Sequence, residues 1–176
     1  MKINQINTPL IISKLNSHES IKDELLQRFY NENLDLKDYK SNSKTESFTA
    51  SDWYPDQLGM RKYWLWVLPY ILEHIHPLLL EYYNEKYEIQ NQWINHYTKN
   101  DFLDWHVHRK CNYSFIYYIE LDNPIHCTLF KDPITKEVFQ PHIKEGDIVM
   151  FPSIIQHSSP IINTDTSKTI LAWNVM

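Results

Sequence analysis

The pattern of apolar and polar positions changes its period near the middle of the chain. Up to about residue 88 the spacing is helical. In Ser17–Asn31, the residues Ile21, Leu25 and Phe29 recur every four positions, and Ser17 or Ser20 supplies an N-cap. A longer helical stretch runs from Leu58 to Lys86, with Pro69 and Pro77 either bending it or splitting it in two. Pro9–Leu15 reads as a short strand, and Ser41–Ser47 as a polar loop.

Past residue 88, short runs rich in β-branched and aromatic residues take over. They are Ile89–Thr98, Leu103–His108, Asn112–Leu121, His126–Phe130, Asp147–Phe151 and Thr169–Val175. Turn formers separate them at Lys99–Asp101, Asp122–Pro124, Asp132–Thr135, Glu145–Gly146 and Asn163–Ser167. Helices first and many short strands afterwards predict an α+β chain. One domain is expected over residues 1–176, with 1–88 as mainly helical support. Residues 89–176 then form the core, a double-stranded β-helix of jelly-roll or cupin-like shape. Such a barrel offers a concave mouth to a small ligand.

Composition narrows the function classes. At 43% hydrophobic and 22% charged residues, the 176-residue chain is globular and long enough to bury a core. The net charge of -5, with no Lys/Arg run, gives no support for nucleic acid or an anionic membrane. Gly59 and Gly146 are the only glycines, which excludes Gly-rich phosphate loops. The N-terminus lacks the apolar stretch of a secretory signal, and Trp64–Leu80 is too broken by prolines and polar residues to cross a membrane. Cys111 and Cys127 are then expected as reduced thiols in a cytoplasmic protein.

The chemistry centres on Asp101–His108. Side chains at i and i+2 of a strand share a face, so His106 and His108 can reach one ion together. His157, after the apolar run Ile148–Phe151 and a turn, is the third candidate ligand. Three neutral imidazoles suit iron, zinc, copper or nickel and leave positions open. Asp104 shares the face of both histidines, but i to i+4 on a strand spans roughly 13 Å, so one ion cannot take all three. Either Asp104/His106 or His106/His108 forms the local pair, and the second is preferred. His18, His74, His76, His96, His126 and His142 are read as incidental.

In this order the residues resemble the 2-oxoglutarate- and Fe(II)-dependent oxygenase superfamily, in its prolyl-hydroxylase-like branch. That branch carries a tyrosine, a turn, H-x-D and a distal histidine followed by a basic residue. Tyr97 stands ahead of His106 at the matching spacing, with Asn100 where the turn usually has glycine, and Lys168 lies 11 residues beyond His157. The runs Trp93–Tyr97, Trp105–His108, Glu145–Asp147 with Phe151 and Pro152, and Lys168–Asn174 also resemble uncharacterised oxygenase-like proteins of marine phages. The likeness covers about residues 50–176. It implies an Fe(II)- and 2-oxoglutarate-dependent dioxygenase acting on a small molecule or a peptide, with Lys168 pairing the distal carboxylate of 2-oxoglutarate.

The residues themselves support part of this. Lys168 shares a strand face with Ile170, Ala172 and Asn174, and an ammonium in an apolar mouth needs an anion. Asn95 and Tyr97 share another face and offer hydrogen bonds to the same ligand, with core or surface placement as the alternative. Ser159 and Tyr117 are weaker pocket candidates. Trp53, Tyr54, Trp93, Trp105 and Trp173 are read as core in preference to pocket. One departure stands out: His108 occupies the position of the family's carboxylate, which leaves the centre one negative charge short. A cupin-like three-histidine dioxygenase or isomerase that uses no keto acid is therefore the competing reading. A barrel with a closed structural zinc site, completed by Asp104 or Cys127, is a third.

Overall fold

The computed structural model describes residues 10–32, 44–53, 61–83 and 87–176. Pro9, residues 41–43, Tyr54 and both ends of the Leu58–Lys86 stretch lie outside them. Strand β1 (Ile11–Lys14) leads into helix α1 (His18–Glu32), then β2 (Glu46–Ser47), β3 (Ala50–Ser51) and helix α2 (Lys62–Tyr83). There follow β4 (Ile89–Tyr97), β5 (Phe102–His106), β6 (Tyr113–Leu121), β7 (Leu129–Lys131), β8 (Val138–Phe139), β9 (Asp147–Pro152), β10 (His157–Ser159) and β11 (Lys168–Val175).

The strands form two antiparallel sheets. One has the order β1-β9-β6-β11-β4-β3, the other β2-β5-β10-β7-β8. The architecture is α+β: two layers of sheet, with the two helices against the larger. Alternation within the long strands decides which side chain meets which layer. In β6 and β11, Phe115, Tyr117, Ile119, Leu171, Trp173 and Val175 join the helical residues Ile21, Leu25, Phe29, Val67, Ile71 and Ile75 in one buried cluster. Their neighbours Ile116, Tyr118 and Ile170 point the other way, toward the second sheet, with Val149, Phe151 and Phe130. Every residue of β11 is buried because both of its faces are covered.

Helix α2 runs unbroken through Pro69 and Pro77. Both prolines are exposed, while Trp64, Val67, Ile71, Ile75 and Leu79 are buried on the core side. Each missing N–H bond is thus lost on the face where water can serve the free carbonyl. Among the described residues no helix is long and apolar enough to cross a membrane. Gly146, with φ +87°, opens β9 against the start of α1. A Cβ there would meet His18 Cγ at 2.9 Å, so the close approach of helix and sheet needs glycine.

Several expectations need correction. Strand β5 stops at His106; His108 lies beyond its end, because its N–H leaves the sheet to bond Ser153 O at 3.0 Å. His157, expected only as a residue after a turn, itself opens β10 and pairs with His106 on one side and Phe130 on the other. His126 ends a single 3-10 turn, Pro124–His126, capped by the Asn123 side chain, so the following strand starts only at Leu129. The short strands β2, β3 and β8 were too brief for a periodic signal. Part of the expected Ser41–Ser47 loop is in fact β2.

Candidate metal centre and its clefts

The site arises where the smaller sheet meets the turn that follows β5. His106 and His157 are cross-strand partners on β5 and β10, and His108 folds back toward them from the adjoining turn. One nitrogen from each ring comes within 4.8 Å of the other two. His108 Nε2 and His157 Nε2 are 3.2 Å apart. The ring centroids of His106 and His157 are separated by 4.1 Å.

Backbone carbonyls orient two of the rings. His106 Nδ1 lies 2.9 Å from Asp104 O, and His157 Nδ1 lies 3.0 Å from Ile155 O. Each carbonyl can only accept, so each Nδ1 carries the proton and each Nε2 keeps its lone pair for the centre. Burial holds all three rings on the uncharged side. It lowers the pKa of His106, lowers that of His108 to about 4, and sets His157 well below the ordinary value; the neighbouring imidazoles depress the last two further. Three neutral donors aimed at one point, two of them fixed by backbone, form a donor set suited to a divalent transition metal.

Asp104 takes no part. Its side chain is exposed, accepts from the N–H of Trp105 at 2.7 Å and is not one of the clustered donors. The trio that the structure brings together is His106, His108 and His157. Cys127 is buried and free, as is the half-buried Cys111, and neither belongs to the cluster.

Two connected hollows open on the histidines. The inner one, about 30 Å³, lies between the sheets and is lined by Asn95, Tyr97, Ser159, Ile170, Ala172 and Asn174 as well as the three histidines. At its margin Lys168 is 1% exposed. Its ammonium donates to His126 O at 2.9 Å and to Ser159 Oγ, and sits 4.3 Å over the Tyr97 ring. Burial lowers its pKa to about 7. Among the described residues no carboxylate pairs with it, and a buried ammonium without an anion is costly.

Asn95 accepts from Ser51 and donates to Tyr97 OH, while Asn174 accepts from Ser114 Oγ at 2.8 Å. Tyr117 is elsewhere. As an odd-numbered position of β6 it points toward the helices, where its hydroxyl meets His18 Nδ1 at 2.8 Å. The expectation of Tyr117 as a pocket residue is corrected by this alternation, since only its neighbour Ile116 lines the hollow.

The outer hollow, about 380 Å³, was missed by sequence reasoning. Its walls include Trp53, Trp93, Trp105, Glu46, Asp104 and Phe48, and it shares His106 and His108 with the inner one. Trp173 is core, as expected, but these three tryptophans are cleft residues. Two buried aspartates hold the cleft wall in place. Asp52 accepts from Ile94 N at 2.7 Å and Tyr63 OH at 2.6 Å and pairs with Arg61 at 3.2 Å; burial still raises its pKa. Asp101 accepts from Ser47, Thr49 and the N–H of Thr98.

With this geometry in hand, the comparison with solved structures is decisive for the fold. A prolyl-4-hydroxylase from Pseudomonas putida superposes with a TM-score of 0.66 at 11% identity, covering 96% of this chain and 92% of that one. The viral collagen prolyl hydroxylase of Paramecium Bursaria Chlorella virus-1, solved as a 2-oxoglutarate complex, gives 0.61 at 12% identity over 93% and 94%. HygX from Streptomyces hygroscopicus, solved with nickel and 2-oxoglutarate bound, gives 0.67 at 10% identity over 96% and 82%. The chain has the prolyl-hydroxylase fold of the 2-oxoglutarate/Fe(II) oxygenases. No protein-family model and no curated protein sequence matches it.

Within the prolyl-hydroxylase fold, the missed cleft left only a faint trace in the sequence. Trp93 precedes Asn95 and Tyr97 with period two, which put it on the same strand face as two pocket candidates. Trp53 and Trp105 had no such signal, because short strands and turns carry them.

Proposed function

We propose that the chain is an Fe(II)- and 2-oxoglutarate-dependent dioxygenase that hydroxylates a C–H bond of a small molecule or a peptide. The observation that carries this reading is the pairing of an open three-histidine donor set on the hollow with a buried lysine against two of its wall residues, Ser159 and Tyr97, and no carboxylate partner for that lysine among the described residues. The ligands in the neighbouring structures agree with it, since the viral enzyme holds 2-oxoglutarate and HygX holds nickel and 2-oxoglutarate. The finer description of the sheets as a jelly-roll core over residues 89–176, supported by residues 1–88 in one domain, belongs to the same reading. So does a reducing, cytoplasmic setting, which suits two free thiols.

His106, His108 and His157 would hold the metal, and Lys168 would neutralise the distal carboxylate of 2-oxoglutarate. Ser159, Tyr97, Asn95 and Asn174 would orient that co-substrate from the pocket wall. When bound, Fe(II) and 2-oxoglutarate would supply the oxidising power for hydroxylation, one oxygen atom of O₂ going to the substrate C–H bond and the other to the succinate that the keto acid leaves with CO₂. The residues of the chain position these groups, exclude water and balance charge. Three uncharged imidazoles leave the full double charge of the metal in place, so an anionic co-substrate is favoured more than it would be beside a carboxylate ligand. Exposure of Asp104 and the distance of Cys127 from the cluster speak against a closed structural zinc site.

Anaerobic addition of Fe(II) and 2-oxoglutarate to the purified protein is the test. A visible charge-transfer band, lost in His157→Ala, is expected, followed by succinate production when air is admitted. A metal-loaded protein that shows no band, or a Lys168→Ala variant that keeps full turnover, would return the site to the keto-acid-independent cupin-like class.

A further inference from the structure

The outer cleft carries a chemical preference of its own. Trp53 is 44% exposed and its ring lies 4.2 Å from that of Trp93, at 67°, so the two indoles form an open corner. Trp93 in turn faces His108 at 5.5 Å, and Trp105 stands on the same cleft wall. Two carboxylates join them. Asp104 and Glu46 lie on neighbouring strands, Glu46 being paired with Leu103, the residue before Asp104. Among the described residues, the lining contains no lysine and no arginine.

Indole faces attract cations through their quadrupole, and carboxylates attract them over a longer range. A neutral apolar ligand would gain from the indoles alone. An anionic ligand would meet the wrong sign of charge. The molecule already makes one such contact on Trp105, outside the cleft lining: the Lys131 ammonium rests 4.4 Å over the ring.

From this arrangement we propose that the outer cleft receives a substrate bearing an organic cation, an alkylammonium group held by Trp53 and Trp93 and balanced by Glu46 and Asp104. A hollow of about 380 Å³ accommodates a small molecule of this kind. The proposal rests on the oxygenase reading for the fate of the ligand, but its binding preference is independent of that chemistry.

Three isosteric probes separate the alternatives: choline, its neutral counterpart neohexanol, and the anion tert-butylacetate. Each is titrated calorimetrically into the metal-free protein, and again with Ni(II) and 2-oxoglutarate added. Choline is expected to bind at least about tenfold tighter than neohexanol, the sum of a cation–π and an ion-pair contribution. The preference should fall about threefold or more in Glu46→Gln/Asp104→Asn and in Trp53→Leu. It should also shrink as salt rises to about 0.5 M, where exposed charges are screened. The two carboxamide changes are isosteric and the Trp53 change is at an exposed position, so folding is retained. Equal binding of choline and neohexanol, tighter binding of tert-butylacetate, or a choline preference untouched by all three substitutions would each overturn the proposal. Should Ni(II) and 2-oxoglutarate bind while choline shows no preference, this inference alone falls. With choline preferred and no 2-oxoglutarate binding, the oxygenase reading falls instead.

Discussion

The two faces of the six-stranded sheet solve opposite problems with one strand set. The face under α1 and α2 is nearly all hydrocarbon and aromatic ring, closed and interdigitated. Its opposite carries Asn95, Ser114, Lys168 and Asn174, all less than 9% exposed, beside a small hollow. Buried polar groups cost stability unless they find partners. Here they largely find each other: Ser114 with Asn174 and Ser153, Asn95 with Ser51 and Tyr97. The contrast teaches that stability and chemistry are allotted to alternate residues of the same strands, not to separate regions.

The sharpest way to break that division is a pair of neighbours on β11. Leu171 is fully buried on the helical side, and Leu171→Ala should cost about 3 kcal/mol in denaturant unfolding, with the metal affinity of the folded protein unchanged. Ile170 borders the hollow, so Ile170→Ala should cost less than half of that and instead weaken dicarboxylate binding. Equal costs for the two would deny any difference between the faces.

Lys168 gives a second, smaller test through pH. Its folded pKa of about 7 is below the ordinary lysine value of 10.5, so between them the unfolded chain binds more protons than the native one. Stability therefore rises with pH across that window, and is lowest below about pH 7, where the buried ammonium is fully charged. Ligand-free protein should gain about 2 kcal/mol between roughly pH 7 and pH 9 from this group, and Lys168→Met should flatten the slope. Calorimetry in buffers of differing ionisation enthalpy adds a check: dicarboxylate binding near pH 8 should take up a proton.

The smallest effect belongs to Tyr117. Tyr117→Phe removes one buried hydrogen bond to His18 on the helical side and should cost about 1 kcal/mol, while 2-oxoglutarate affinity stays within twofold. A large loss of affinity would place Tyr117 back among the pocket residues.

Much of the layout was legible in advance, for identifiable reasons. Alternation along β4, β6, β9 and β11 is long enough to define two faces. Helical spacing through Ile21, Leu25 and Phe29 marks the core side of α1. The candidate histidines were legible as well, because H-x-H and a histidine after a buried strand are rare enough to stand out. The short elements were not. Strands of two residues, such as β2, β3 and β8, carry no period, and the cleft they help to wall was invisible with them.

By itself, then, the order of residues determined the fold class, the partition of β11 into a packing face and a pocket face, and the identity of the histidines worth testing. Local patterns suffice there, since a strand side chain alternates by geometry alone. Only the tertiary structure decided that His108 rather than Asp104 turns toward His157, that Tyr117 faces the helices, and that three distant tryptophans share one cleft. Those outcomes depend on where a strand stops and which loop folds over it, and they are set by contacts between residues far apart in the chain.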